Sequence, residues 1–334
     1  MKKYLFSLLA FLLSASIFYS LYSTSMLAEA ATVSRAECVV EVSSKRILSG
    51  KNQTAALPMA STTKVLTACI VLEDCNLDEV ITVPAEGAGI EGSSVYLKAG
   101  EEISVRDLLY GLMLRSGNDC AVTLALHHSG SIARFAQVMN ERAAAMGAEN
   151  SAFANPHGLP HPNHKTTARD LAVIAAHAME NPTFCEIVST KYYEPRGYKN
   201  KNKMLYNYDG AIGVKTGFTM EAGRCLVTSA ERDGMKVVSV VLNSPQMYER
   251  SAELLDCAFA NYRMTTLCDH TAAFEGFRID YDFSYPLTEA ETSNIIITKE
   301  LLDPLPVQKG EFAGQMKIML ENDLLFSQNL YIME

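Results

Sequence analysis

Basic runs are missing from this sequence. Its 29 lysines and arginines stand against 38 acidic residues, for a net charge of −9, and they are scattered along the chain. A surface that neutralises nucleic-acid phosphates needs them clustered, so nucleic-acid binding is excluded as the main role. No CxxC pair and no HExxH occur, which removes the commonest paired-cysteine and zinc-hydrolase signatures. Internal repeats and low-complexity segments are also absent, setting aside solenoids and disordered tails. Only one apolar run, over residues 4–22, approaches membrane-spanning length.

What is present begins with that run. Lys2-Lys3 precede it, and Ala28-Glu29-Ala30 follows a short polar stretch. A basic end, an apolar core and a small-x-small site form the pattern of an export signal. Residues 1–30 are therefore expected to be a signal peptide, cleaved after Ala30. Retained, the same run would be an N-terminal anchor, and it is the only membrane attachment expected. Either way the bulk of the chain lies outside the cytoplasm, at the cell wall or the outer membrane face, because Lys2 and Lys3 hold the short end inside. The sequence as a whole, 48% hydrophobic and 20% charged, has ordinary globular composition. Of eight cysteines, Cys69, Cys120 and Cys225 sit inside apolar periodic segments. There a thiol behaves as a small hydrophobe, so mostly free cysteines and a reducing or anaerobic habitat are expected.

Periodicity divides the chain. A hairpin is predicted over 38–48, a helix over 61–73, and short strands over 80–83 and 95–97. Helices follow over 105–114, from 118, from Ser131 to Gly147, and from Thr167 to Met179. Three strands over 211–218, 224–231 and 235–242 precede a helix over 246–262. Strands at both ends with helices between imply one sheet covered by helices. From residue 266 the chain reads as a small β-rich unit whose last hairpin turns at Asn322-Asp323. The expected division is 31–265 and 266–334.

Three short motifs fall at telling places: Ser61-Thr62-Thr63-Lys64 opens a helix, Ser116-Gly117-Asn118 fills a turn between helices, and Lys215-Thr216-Gly217 lies on a strand. Singly they are weak, since an S-x-x-K is expected about once by chance in such a chain. Together they describe a site. Ser61 has a helix N-terminus beside its oxygen. Lys64, one turn on, shares its face. A lysine acts as base only when burial or a neighbouring cation lowers its pKa, and Lys215 is placed to be that cation. Ser116 offers a hydroxyl to relay a proton, and Asn118 an amide to hold a peptide-like backbone. Gly217 leaves room for a substrate lying along the strand edge. His157, His161 and His164 sit in a Pro-rich loop with no acidic ligand close by, so they carry no metal site. No metal and no organic cofactor are expected.

With these residues the sequence resembles the serine-type D-alanyl-D-alanine carboxypeptidases, the low-molecular-mass penicillin-binding proteins. Leu57-Pro58-Met59-Ala60, Leu97-Lys98-Ala99-Gly100-Glu101, Asn155-Pro156-His157-Gly158-Leu159 and Thr167-Ala168-Arg169-Asp170 extend the likeness beyond the three motifs. The resemblance implies an α/β (α+β) transpeptidase/β-lactamase-like domain, its mainly antiparallel sheet covered by helices, with a small C-terminal β domain. It implies removal of the terminal D-alanine from peptidoglycan stem peptides ending in D-Ala-D-Ala, with β-lactams as covalent inhibitors. It makes Ser61 the nucleophile, Lys64 its base and Ser116 the third catalytic group. It assigns Asn118, Lys215, Thr216, Gly217 and Phe218 to substrate binding, with an oxyanion hole from the N–H groups of Ser61 and Phe218. Phe218 stands where some members carry a polar residue. Residues 200–203, Asn-Lys-Asn-Lys, occupy a loop where some members place an arginine; Lys201 is given no role. A class A β-lactamase is the rival enzyme, but no E-x-x-x-N follows the second motif as its deacylating water requires. A non-catalytic wall-binding or β-lactam-sensing protein is the rival of another class.

Overall fold

The computed structural model describes residues 34–333. The export-signal reading of residues 1–30 lies outside them. Among the described residues no helix is long and apolar enough to cross a membrane.

The chain enters a central sheet with β1 (Ala36–Glu41) and returns as β2 (Ile47–Lys51). A 3-10 turn, Ala60–Thr63, runs into helix α1 (Lys64–Asp74). A two-stranded ribbon follows, β3 (Val80–Thr82) with β4 (Glu102–Ser104). Helix α2 (Val105–Tyr110) widens into a π-helical turn, Gly111–Arg115, before α3 (Asn118–Ser129) and α4 (Ile132–Ala145). After a long loop come α5 (Ala168–Ala178) and α6 (Pro182–Ser189), then β5 (Tyr192–Tyr193) with β6 (Tyr198–Lys199), and α7 (Met204–Asn207). Strands β7 (Ala211–Thr219), β8 (Gly223–Arg232) and β9 (Met235–Leu242) complete the sheet, and α8 (Met247–Asn261) covers it.

The sheet order is β2-β1-β9-β8-β7, and every pairing in it is antiparallel. Both faces are buried, and the strands show it by alternation. Cys38, Val40, Val227, Val238 and Val240 join the core shared with α1 and α5. Their neighbours Val39, Leu226, Val237 and Val241 join the core under α8. Period-two side-chain direction splits one apolar run between two layers. β2 and β7 are left as the edges, and β7 carries the third motif.

Beyond α8, strands β10 (Arg263–Cys268), β11 (Phe277–Arg278), β12 (Phe283–Leu287), β13 (Ile295–Leu301), β14 (Phe312–Leu320) and β15 (Asp323–Ile332) form two small sheets with their own core. Phe283 and Phe326 stack within it at 4.6 Å. Arg46 reaches this unit from the β1–β2 hairpin. Its guanidinium lies over the Tyr262 and Tyr285 rings, 5.3 and 5.1 Å from their centroids, donates to Pro286 O and pairs with Glu291. A cation held between two rings adds a directional bond where hydrophobic burial alone gives none.

Three expectations fail. Residues 95–97 form no strand; the N–H groups of Val95 and Leu97 turn inward to a buried carboxylate, described below, and β4 pairs with β3 instead. Residues 111–115 leave the α-helix for a π turn. The last hairpin turns one residue early, at Glu321-Asn322, where Glu321 takes a φ of 55°. All eight cysteines are free thiols, Cys257 alone being exposed.

Candidate active site

Ser61 lies second in the 3-10 turn, so its N–H is among the donors that a helix start leaves unpaired. Two glycines press on its backbone. At Gly158 (φ 91°) an added Cβ would stand 1.9 Å from Ala60 O and 2.9 Å from Ser61 N. At Gly217 it would stand 3.1 Å from Met59 O, Ser61 N and Thr62 N. The Ser61 peptide is thus gripped between the 155–159 loop and strand β7. Asn155 fixes that loop on itself: its Oδ1 accepts from Gly158 N at 2.7 Å and its Nδ2 donates to Leu159 O at 3.0 Å. Thr67 Oγ1 ties it to α1 through Pro156 O at 2.7 Å.

Lys64 is fully buried, with Nζ 3.2 Å from Ser61 Oγ. The same nitrogen lies 2.7 Å from Asn118 Oδ1 and 2.7 Å from His157 O. As a neutral amine, with two N–H bonds and one lone pair, Lys64 can give its hydrogens to these two acceptors and turn the lone pair to the serine hydroxyl. Burial, and then the positive charge of Lys215, hold the Lys64 pKa well below the ordinary lysine value. Asn118 is engaged at both ends, since its Nδ2 donates to Glu91 O at 2.6 Å. In this arrangement its amide positions Lys64.

Ser116 closes the π turn in a left-handed conformation (φ 64°, ψ 33°) and is buried two residues before Asn118. Lys215 is buried on β7, donates to Thr216 O at 2.8 Å, and is pushed down to about 7 by burial and by the charge of Lys201. Thr216 is half-buried and Phe218 is 61% exposed at the strand edge. The structure therefore brings Ser61, Lys64, Asn118 and Gly217 into direct contact, with Lys215 close enough to shift Lys64. Ser116 sits on the adjoining turn.

Other groups at the site carry no obvious sequence signal. Asp119 is buried without a cation; its carboxylate accepts from Ser94 Oγ at 2.5 Å and from the N–H groups of Val95, Leu97 and Cys120 at 3.0–3.1 Å. Such a cage stabilises the anion and pins the 93–97 loop to α3. Lys201 stands exposed on its loop, its N–H bonded to Leu114 O, and depresses both buried lysines. His164 Nδ1 accepts from Ala154 N at 3.0 Å, so its Nε2 carries the hydrogen and meets Thr63 Oγ1 at 2.7 Å. His157 and His161 likewise accept backbone N–H groups, from Leu159 and Asn163. These histidines serve their loop, as the sequence suggests. Asn155, His157 and Gly158 had a signal in the Asn155-Pro156-His157-Gly158-Leu159 run; Asp119 had none.

A family model described as D-alanyl-D-alanine carboxypeptidase matches residues 24–246, two thirds of the chain. The chain belongs to that family. Among its relatives, the D-alanyl-D-alanine carboxypeptidase DacF of Bacillus subtilis is 28% identical over 327 residues, covering 89% of this chain and 84% of that one. DacB2 of Mycobacterium tuberculosis is 35% identical over 236 residues, covering 66% and 81%. The crystal structure of penicillin-binding protein 5 from Haemophilus influenzae superposes with a TM-score of 0.75 at 28% identity, covering 91% of this chain and 97% of that one. This carboxypeptidase thus has the α+β fold of the low-molecular-mass penicillin-binding proteins, and neither the β-lactamase nor the non-catalytic reading is favoured. It is a serine hydrolase acting on D-Ala-D-Ala termini.

Proposed function

We propose that the reaction runs through an acyl-enzyme on Ser61, with Lys64 as its base. The observation that carries this is the Lys64 amine: buried, 3.2 Å from Ser61 Oγ, and with two further acceptors, Asn118 Oδ1 and His157 O, each at 2.7 Å. Ser61 Oγ attacks the carbonyl carbon of the D-Ala-D-Ala peptide bond while Lys64 takes its proton. The N–H groups of Ser61 and Phe218 receive the oxyanion. The proton then passes, with Ser116 as relay, to the leaving amine; the C–N bond breaks and D-alanine departs. Water, deprotonated by the same lysine, cleaves the ester and restores the serine. Lys215 and Thr216 take the terminal carboxylate, with Lys201 adding positive field at the rim. Gly217 lets the peptide approach the β7 edge, and Asn118 orients Lys64 before any contact with substrate. β-Lactams enter by the same attack and stay as esters.

The substrate reading extends to pentapeptide stems of peptidoglycan, which places the enzyme outside the cytoplasm. Residues 31–265 act as the catalytic domain and 266–334 as a separate β unit. Any membrane attachment is assigned to an uncleaved N-terminal segment. Ser61→Ala tests the core of the proposal. The variant should fold, release no D-alanine from a D-Ala-D-Ala peptide, and form no penicillin adduct by mass spectrometry. A stable adduct mapped to another residue overturns it.

A further inference from the structure

On the far side of α1, one turn and a half beyond Lys64, a second cluster of reactive groups plays no part in the reaction above. Cys69 is buried, and its Sγ lies 3.1 Å from Glu73 Oε1. His177, from α5, brings Nε2 to 3.0 Å from the same oxygen. Sulfur, oxygen and nitrogen all lie within 4.8 Å of one another. We propose that Cys69, Glu73 and His177 form a binding site for a borderline-soft divalent metal ion such as Zn²⁺, completed by one water. The inference is independent of the peptidase mechanism.

Five observations support it. The donor set of one thiolate, one carboxylate and one imidazole is what tetrahedral zinc selects. Metal–ligand lengths of about 2.0–2.3 Å give tetrahedral edges of about 3.4–3.6 Å, so the two edges that meet at Glu73 Oε1, at 3.1 and 3.0 Å, need open by only a few tenths of an ångström. The outer groups are in place as well. Arg142 Nη1 holds Glu73 Oε2 at 2.6 Å, turning Oε1 towards the cluster. Glu180 Oε2 lies 3.8 Å from His177 Nδ1, too long for a hydrogen bond but on the side from which a carboxylate orients a ligand ring once it closes. Charge agrees too. Glu73 and Asp74 share Arg142, which bonds both, and Asp74 also meets His128 Nε2 at 3.0 Å. A divalent ion with a Cys69 thiolate offsets the carboxylate that Arg142 leaves unbalanced. Finally, half-exposed His177 leaves the fourth position open to solvent. Binding replaces the Cys69 S–H bond by a sulfur–metal bond and releases that proton to solvent; no electron moves. The ion would join α1, which begins at Lys64, to α5.

Cobalt(II) is the probe, titrated into the full chain after chelator treatment, in a Cys257→Ser background that removes the exposed thiol. The expected result is one equivalent bound, tetrahedral visible bands, a near-ultraviolet thiolate-to-cobalt band, and displacement by Zn²⁺. Cys69→Ser should lose the thiolate band, and His177→Ala, at a half-exposed position, should weaken affinity by at least about 10-fold. Zn²⁺ should raise the melting temperature of the parent and not of His177→Ala. No thiolate band in the parent, or a band that survives Cys69→Ser, overturns the proposal; so does an unchanged affinity in His177→Ala. A metal bound without thiolate, at the exposed Asp269, His270 and Asp282 group, also counts against it.

Discussion

A single methyl group at residue 158 tests how the nucleophile is held. Gly158 has φ 91°, and its added Cβ would lie 1.9 Å from Ala60 O and 2.4 Å from Ala60 C. Ordinary carbon contacts begin near 3.5 Å, so the Ala60–Ser61 peptide must retreat by more than about 1 Å. The obstacle is backbone, with no flexible side chain to swing aside. Positive φ adds about 1–2 kcal/mol for a non-glycine residue and overpacking about 1–3 kcal/mol. Reduced freedom of the unfolded chain returns about 0.4–1 kcal/mol. Gly158→Ala should therefore lose about 1.5–4 kcal/mol in urea unfolding. Displacement of Ser61 by about 1 Å should slow penicillin acylation, followed by stopped-flow fluorescence, by about 100-fold. Gly130→Ala is the control. It has φ 72° and open space around the added Cβ, so it should lose about 1 kcal/mol with unchanged acylation. If Gly158→Ala loses stability and still acylates at the parent rate, the grip on Ser61 is not what positions it.

Two further outcomes follow from the buried bases. Lys64→Arg keeps a cation that cannot give up its proton, so acylation should fall by at least about 100-fold; a near-normal rate removes Lys64 as base. His164 is neutral and buried, its pKa pushed down to about 4 by burial and the charges of His161 and Lys64. The unfolded chain then binds the extra proton between pH 6.5 and about 4, so stability should fall as the pH drops through that window, by up to about 1.4 kcal/mol per pH unit from this residue. His164→Gln should flatten the measured slope by that amount, and an unaltered slope refutes the assignment.

The residues that bond locally were readable in advance. Ser61 and Lys64 share a face because they are one turn apart. β7, β8 and β9 announce themselves by alternation and tight turns, so Lys215 could be placed on a strand beside a sheet neighbour. Where tertiary contacts override local pattern, reading failed. Val95-Tyr96-Leu97 alternates like a strand, yet Asp119 takes the N–H groups of Val95 and Leu97, and the segment pairs with no strand. Glu102-Ile103-Ser104 has one apolar residue and still pairs, because β3 stands opposite. Helix α6, eight residues opened by Pro182, is too short for its period to stand out. The positive field of Lys201 and the carbonyl of His157 are invisible in sequence, since their effects arise from distance alone.

Strand β7 is an edge, and an unpaired edge is ordinarily a hazard: its free N–H and C=O groups invite a second copy to pair and aggregate. Here the Ser61 turn overhangs that edge, with its backbone in reach of Gly217. The packing that seats the Ser61 turn against β7 therefore also covers part of an edge with which a second copy would otherwise pair. A substitution that lifts the turn away from Gly217 would expose that edge, so loosening the site and colloidal stability pull in opposite directions in this fold.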